Sequence, residues 1–433
     1  MKRIYTPAKQ KKILIVDDDQ VVASVYQKKF ESERYDVEVV RNGEHALEKI
    51  ENTLVDLVIL DFSLPGMNGV EVLKAIRSRS GAGALPVIVF SNPYLSGQVQ
   101  AAGEAGATKC VTKSECTPCQ ALELVREVLA TGPSSTARPA DANRAHSAQS
   151  ETELQAQVAA IFFDNAPQRI KRLRASYHAF VNSQQENLRL DELFEMHRQA
   201  RLLAGTAGIG GFRKIAQLTA ALEALLLQLH GKPANITPSV IRTIAYAVDL
   251  LAGLVDHATN PESEPSVSPA ILVVDDEIIS REAICSAIEK TKFRPVSVDN
   301  PMVAADLAQK NHFDLIFLDV EMPGQSGLDL CASIRKMATN HATPVVFVTA
   351  HSDFATWAQS SLSGGNDFIA KPFLSVELAV KALTWLFKEK LQLVPTADPA
   401  DGEDRLFGLP NETDRSQSAL ATSYRDEQRD VSV

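Results

Sequence analysis

The chain has 433 residues, 45% hydrophobic and 23% charged, with a formal net charge of −10. That length exceeds what one core supports and implies about three domains, each with enough apolar material to fold without disulfides or metals. The acidic balance offers no attraction to phosphate backbones or anionic lipid, which argues against a nucleic-acid or membrane-surface role.

The basic leader, residues 1–12, is followed by only Ile13 to Val16 before three acids, too short an apolar run for a signal peptide. No run approaches the roughly 18 apolar residues of a membrane span, so no membrane insertion is expected. Strands are expected at 13–17, 37–40, 56–61, 86–91 and 109–112, with helices between them and a last helix at 118–130. Strands apolar almost throughout, separated by helical patterns, indicate a parallel sheet covered on both faces. Five such units fit a doubly wound, flavodoxin-like (βα)5 fold with its crevice at the carboxyl ends of the strands. The first such domain spans 13–131, followed by a linker of loop composition at 132–150.

Residues 151–258 carry no strand signal. Four helices are expected near 152–183, 190–208, 212–230 and 238–257, broken by Gly208-Ile209-Gly210-Gly211 and by Gly231-Lys232-Pro233. Leu193, Met196, Ala200, Leu203 and Ala207 form the stripe of a helix buried in an all-α four-helix bundle. A second linker occupies 259–269. The block at 270–393 then repeats the first, with strands at 271–275, 296–298, 314–319, 344–349 and 367–370 and a last helix near 375–391. Residues 394–433 have the composition of a disordered tail.

The repeat extends to the chemistry. Asp17, Asp18 and Asp19 end strand one of the first block, Asp61 ends strand three, Ser91 ends strand four and Lys113 follows strand five. Asp275, Asp276, Asp319, Thr349 and Lys371 take the corresponding places in the third block. The hydroxyl lies 30 positions and the lysine 52 positions beyond the strand-three aspartate in both. Carboxylates converging at one point repel, and a hard divalent cation with oxygen ligands and retained waters, Mg²⁺, relieves that repulsion. Such a site serves phosphoryl transfer, with the aspartate attacking in line while lysine and hydroxyl hold the equatorial oxygens. The bland alternative is a set of solvated strand-end caps, which a five-residue set repeated at equal spacing disfavours.

On these residues, the first and third blocks resemble response-regulator receiver domains (CheY-like). The resemblance implies Asp61 and Asp319 as phosphoacceptors and Asp17, Asp18, Asp275 and Asp276 as metal-binding acids. It also implies Ser91 and Thr349 as switch hydroxyls and Lys113 and Lys371 as phosphoryl contacts. The loops Ser63-Leu64-Pro65-Gly66-Met67-Asn68-Gly69 and Glu321-Met322-Pro323-Gly324-Gln325-Ser326-Gly327 match the family pattern, in which a carbonyl at Ser63 or Glu321 completes the metal site. Phe368 stands where the family keeps its switch aromatic. The first block has Cys110 there, so its output surface should couple differently.

The helical block is similar to histidine phosphotransfer (HPt) domains, whose helix carries His-x-Leu-x-Gly-x-Ala.

 

Here the stretch reads Arg201-Leu202-Leu203-Ala204-Gly205-Thr206-Ala207, with Arg201 in the histidine's place. A guanidinium offers no lone pair and cannot carry a phosphoryl group, so this histidine phosphotransfer module looks degenerate. His197 lies one turn earlier on the same flank and is a candidate phosphocarrier, against the plainer reading of a helix-surface histidine. Arg201 and Arg198 could instead hold an acidic receiver crevice, or compete with a true phosphotransfer protein.

The spacing Cys116-Thr-Pro-Cys119 is that of a redox motif, but it opens the last helix of the first block without thioredoxin-like order, and packing thiols are the better reading. With Cys110, Cys285 and Cys331 these make five cysteines, which suit a reducing cytoplasm. His351, Trp357 and Trp385 are expected to pack or to contact partners. The combined expectation is a cytoplasmic response regulator in a phosphorelay, without enzymatic output beyond its own phosphorylation and dephosphorylation. A sensor histidine kinase or phosphotransfer protein would supply the phosphoryl group, and a downstream protein partner, or a homodimer through receiver faces, would read it. Two alternatives stand beside it: a relay passing phosphate between the receivers through the helical domain, by His197 or an unusual geometry, and a Mg²⁺-dependent aspartate-nucleophile phosphatase. The phosphatase needs a second acid two residues after the nucleophile, which Glu321 matches and Ser63 does not.

Overall fold

Alternation along each strand decides the architecture. The computed structural model describes residues 10–79, 84–130, 144–258, 268–350 and 363–390. In the first domain β1 (Lys12–Val16), β2 (Asp36–Val40), β3 (Leu57–Asp61), β4 (Val87–Ser91) and β5 (Lys109–Thr112) form one parallel sheet in the order β2-β1-β3-β4-β5. Ile13, Ile15, Leu57, Ile59, Ile88 and Phe90 face one way, onto α1 (Gln20–Ser32) and α5 (Pro118–Ala130). Their strand neighbours Leu14, Val16, Val58, Leu60, Val87 and Val89 face the other, onto α2 (Gly43–Asn52), α3 (Gly69–Ser78) and α4 (Ser96–Glu104). Both faces are covered, so the central strands are buried throughout.

The helical block consists of α6 (Arg144–Asn182), α7 (Glu186–Gly210), α8 (Arg213–Gly231) and α9 (Pro238–His257). Two details differ from the expected boundaries. α6 begins at Arg144, inside the stretch assigned to a linker. α7 runs through Gly208 and Gly210 and ends only at Gly211, whose φ of 85° gives the left-handed cap. Neither earlier glycine needs a special backbone, so neither breaks the helix. α9 also corrects the expectation that no segment reaches a membrane span: it is long and apolar enough, with a mean hydropathy of 1.4, but 67% of that stretch is buried inside the protein. It is a core helix.

The last domain repeats the first. β6 (Ile271–Val274), β7 (Pro295–Val298), β8 (Leu315–Asp319), β9 (Val345–Thr349) and β10 (Asp367–Ala370) form a parallel sheet in the order β10-β9-β8-β6-β7. It is packed by α10 (Ile278–Glu289), α11 (Pro301–Lys310), α12 (Gly327–Ile334) and α13 (Ser375–Lys390). His351 and Trp357, and the tail beyond residue 390, lie outside the described residues. The molecule is therefore two flavodoxin-like α/β domains and an all-α region between them.

α13 is apolar on two faces because it has two neighbours. Val376, Ala379, Val380, Leu383 and Phe387 belong to one continuous core that also contains Ile271, Phe317 and Val348 of the sheet and Leu225, Ile244 and Leu251 of the bundle. Glu377, buried among them, accepts hydrogen bonds from Ser239 Oγ at 2.5 Å and Thr243 Oγ1 at 3.2 Å. Lys381 Nζ pairs with Asp367 at 2.6 Å in the same layer, so neither charge is left alone.

Candidate functional site

In the last domain the ends of β6 and β8 bring Asp275, Asp276 and Asp319 together, with carboxylate oxygens within 4.8 Å of one another. Lys371, just past β10, reaches in with Nζ at 2.8 Å from Asp319 and 3.0 Å from Asp275. Its backbone N–H donates to the Thr349 carbonyl at 2.7 Å, which sets lysine and buried hydroxyl residue side by side. Ser280 Oγ donates to Asp275, and the Glu321 N–H donates to Asp319 Oδ1 at 3.2 Å. Burial raises the Asp319 carboxyl above the ordinary carboxylate range, against its hydrogen bond from Lys371. Burial lowers the Lys371 ammonium, but its hydrogen bonds to Asp319 and Asp275 carry it above its usual value. Asp276 is exposed at the mouth.

The first domain builds the same set. Asp17, Asp18 and Asp61 converge within 4.8 Å, and Lys113 Nζ sits 2.7 Å from Asp17 and 2.5 Å from Asp61. The Lys113 N–H donates to the Ser91 carbonyl at 3.1 Å, and the Ser63 N–H donates to Asp61 Oδ1 at 3.2 Å. Ser91 is buried, its hydroxyl directed to the Val111 carbonyl at 3.4 Å. Asp19 leaves the cluster and caps α1, accepting from the N–H groups of Val21 and Val22.

One side chain separates the two pockets. Arg201, from the middle of α7, enters the first with Nη2 at 2.5 Å from Asp18 Oδ1 and 2.6 Å from Asp61 Oδ2. Burial works against an ionised Asp61, yet Arg201 and Lys113 hold its carboxyl well below the usual range. Of the two arginines expected at an acidic crevice, Arg201 pairs with its acids, whereas Arg198 pairs with Glu195 on its own helix at 2.9 Å and feels Asp18 only as a more distant charge.

The reading of His197 as a surface histidine is corrected. It is 6% exposed, its ring stacks on Phe194 with centroids 5.9 Å apart, and Glu223 lies 3.8 Å away. Neither ring nitrogen makes a hydrogen bond among the described residues, and burial pushes its pKa down to about 4. Its position on α7 was legible, but its burial depends on α8, which the stripe on α7 alone does not reveal.

Two contact residues escaped the sequence reading. Asn92, next to Ser91, donates from Nδ2 to the Ala220 carbonyl at 2.8 Å and to Glu223 at 3.0 Å, joining β4 of the first domain to α8. Glu223 is a lone acid in the apolar run Leu222 to Leu229, and that isolation was the available signal. Phe368 is buried at the end domain's interface with α9, with the Arg242 guanidinium 4.5 Å above its ring. Cys116 and Cys119 are not joined in a disulfide, and burial pushes the Cys116 thiol up to about 12, as expected of a packing residue rather than a redox centre.

A divalent cation fits the second pocket. Three carboxylates face one ammonium there, and the most exposed of them, Asp276, opens to solvent. In the first pocket the oxygens of Asp18 and Asp61 that would serve a cation are taken by Arg201.

The two sheets, each with acids at its strand ends and a lysine beyond its last strand, agree with what known proteins show. The model of the response regulator receiver domain matches residues 13–126 and 271–383, together more than half of the chain. The phosphate regulon transcriptional regulatory protein PhoB of Klebsiella pneumoniae is 34% identical over 111 residues, covering 26% of this chain and 48% of that protein. The transcriptional regulatory protein ResD of Bacillus subtilis is 36% identical over 115 residues, covering 26% and 47%. The chain thus spans about half the length of the curated relatives it matches. Among solved structures, a CheY-like response regulator receiver domain protein from Methanospirillum hungatei is 31% identical, with 28% of this chain and 94% of that one covered at a TM-score of 0.26. With two matched segments that coincide with its two parallel sheets, the chain belongs to the response regulator receiver family.

Proposed function

We propose that this protein is a cytoplasmic phosphorelay response regulator that takes a phosphoryl group onto aspartate from a partner's phosphohistidine, with Asp319 the poised acceptor. The observation that carries this reading is Lys371 bridging Asp319 and Asp275 in an acidic pocket that no other cationic side chain enters among the described residues. In the transfer an Asp319 carboxylate oxygen forms a bond to phosphorus as the phosphorus–nitrogen bond to the donor imidazole breaks, and the electron pair returns to the imidazole nitrogen. Asp275 and Asp276, with Asp319 and the Glu321 carbonyl, would hold Mg²⁺, which when bound neutralises the phosphoryl oxygens. Lys371 and Thr349 then hold the remaining oxygens. Asp17, Asp18, Asp61, Ser63, Ser91 and Lys113 are the same machinery in the first receiver.

The phosphotransfer-like helical region is inactive as a carrier in this reading. Arg201 cannot accept a phosphoryl group, and His197 is buried beneath Phe194 and Glu223. The output is a changed surface read by another protein. Labelling by a small phosphodonor with Mg²⁺ tests the proposal. Wild type should label, Asp319→Asn should lose most of the label, and Lys371→Ala should label about 10²-fold more slowly. Label that persists in Asp61→Asn/Asp319→Asn would overturn the aspartate reading.

A further inference from the structure

We infer that the acidic pocket of the first receiver is a binding site for the chain's own Arg201, whose guanidinium replaces the divalent cation and leaves the pocket of the second receiver as the open cation site among the described residues. This rests on the reading of both acid clusters as cation pockets. The two pockets share carboxylates, lysine, hydroxyl and spacing, and differ in what stands over them.

The guanidinium uses one nitrogen to bridge Asp18 and Asp61, two of the three acids that a cation needs, and the Arg201 side chain is only 11% exposed. The carboxylates of Asp17, Asp18 and Asp61 therefore face two fixed positive charges, Lys113 and Arg201, where those of Asp275, Asp276 and Asp319 face one, Lys371. A divalent ion entering here meets less negative charge and must displace a charge-assisted pair. The space left between Asp61, Ser91, Lys113, Arg201 and Glu223 is about 30 Å³, room for roughly one or two waters.

The bundle is shaped for this seat. A Cβ on Gly205 would stand 3.0 Å from Val22, and one on Gly208 would stand 2.3 Å from the Ser114 carbonyl, so α7 approaches the receiver as closely as it does because both positions lack a side chain. Asn92 fixes α8 beside it through Ala220 and Glu223. Because the plug is tethered, it re-enters at an effective concentration that free Mg²⁺ must outcompete. An arginine also keeps its charge at every physiological pH, so a change of pH does not release the plug.

Counting bound Mn²⁺ on the full chain by electron paramagnetic resonance tests the inference. Wild type should bind one ion per chain, and Asp275→Asn none. Arg201→Ala should bind two. Gly208→Ala should also bind two, because its methyl group collides with the Ser114 backbone and lifts α7 while leaving every pocket residue intact. The ion held by the second receiver serves as the folding control in both variants. Two ions in wild type, or one in both variants, would overturn the inference alone. No ion in any of the proteins would overturn the underlying reading of the pockets.

Discussion

Arg201 and a histidine at its position would do opposite things in an acidic pocket. A neutral imidazole presents a lone pair to an incoming phosphoryl group, whereas a guanidinium presents only donors and a permanent charge. The pocket answers with Asp18 and Asp61, and the result is an ion pair where transfer chemistry would need a nucleophile. His197, one turn away, is held neutral: burial, with Arg201 and His230 adding to it, lowers its pKa from 6.5 to about 4, and Glu223 facing it is itself pushed up by burial to about 7. As pH falls through 6.5 the unfolded chain takes up a proton that the folded chain refuses until about pH 4. The His197 contribution to stability therefore drops across that window, by roughly 3 kcal/mol, while Glu223, whose raised carboxyl takes up its proton first in the folded chain, contributes in the opposite direction. His197→Leu should remove this dependence, so the gap in unfolding midpoint between variant and wild type should widen as pH falls from 6.5 to 4. A gap that stays constant with pH would refute the assignment.

At the scale of the element, α7 and α13 show how one helix serves two neighbours. α7 buries its apolar stripe in the bundle and turns its small residues and Arg201 to the first receiver. α13 covers its own sheet with one face and α8 and α9 with the other, and Glu377 ties it to Ser239 and Thr243 of α9. Ser239→Ala removes the shorter of those hydrogen bonds and leaves a buried carboxyl with one donor fewer. The expected cost is about 1–3 kcal/mol, read as a lower thermal midpoint of tryptophan emission, since both tryptophans lie in the last domain. An unchanged midpoint would mean that Glu377 does not anchor this interface.

Across the whole molecule the bundle touches the two receivers by different surfaces: Arg201 enters the acidic pocket of the first, and α8 and α9 cover the β10–α13 face of the second. Among the described residues no part of the bundle enters the second receiver's pocket, but Phe368, with its carbonyl, and Trp385 lie against α9. Homodimerisation through that face is correspondingly disfavoured in this arrangement. Phosphorylation of Asp319 should be felt at Trp385, which stands edge-on to Tyr246 at 6.2 Å and beneath Lys388 at 4.7 Å. In a Trp357→Phe background, a phosphodonor with Mg²⁺ should shift Trp385 emission. Asp61→Asn should keep that shift and Asp319→Asn should abolish it. A shift that follows Asp61 instead would reverse the roles assigned to the two receivers.

The receivers were legible in the sequence because their determinants are local and repeated. β-branched runs specify buried parallel strands, and strand ends place Asp61, Lys113, Asp319 and Lys371 by spacing alone. The helical stripe of α7 and the substitution at Arg201 were equally readable. Where Arg201 points was not, because that depends on α7 docking against α1, with Gly205 facing the Val22 side chain and Gly208 the Ser114 backbone. The burial of His197 and Glu223, and the double coverage of α13, belong to the same class. Periodicity reports that a face is apolar, but only the tertiary arrangement decides which neighbour covers it, and here that choice separates a closed pocket from an open one.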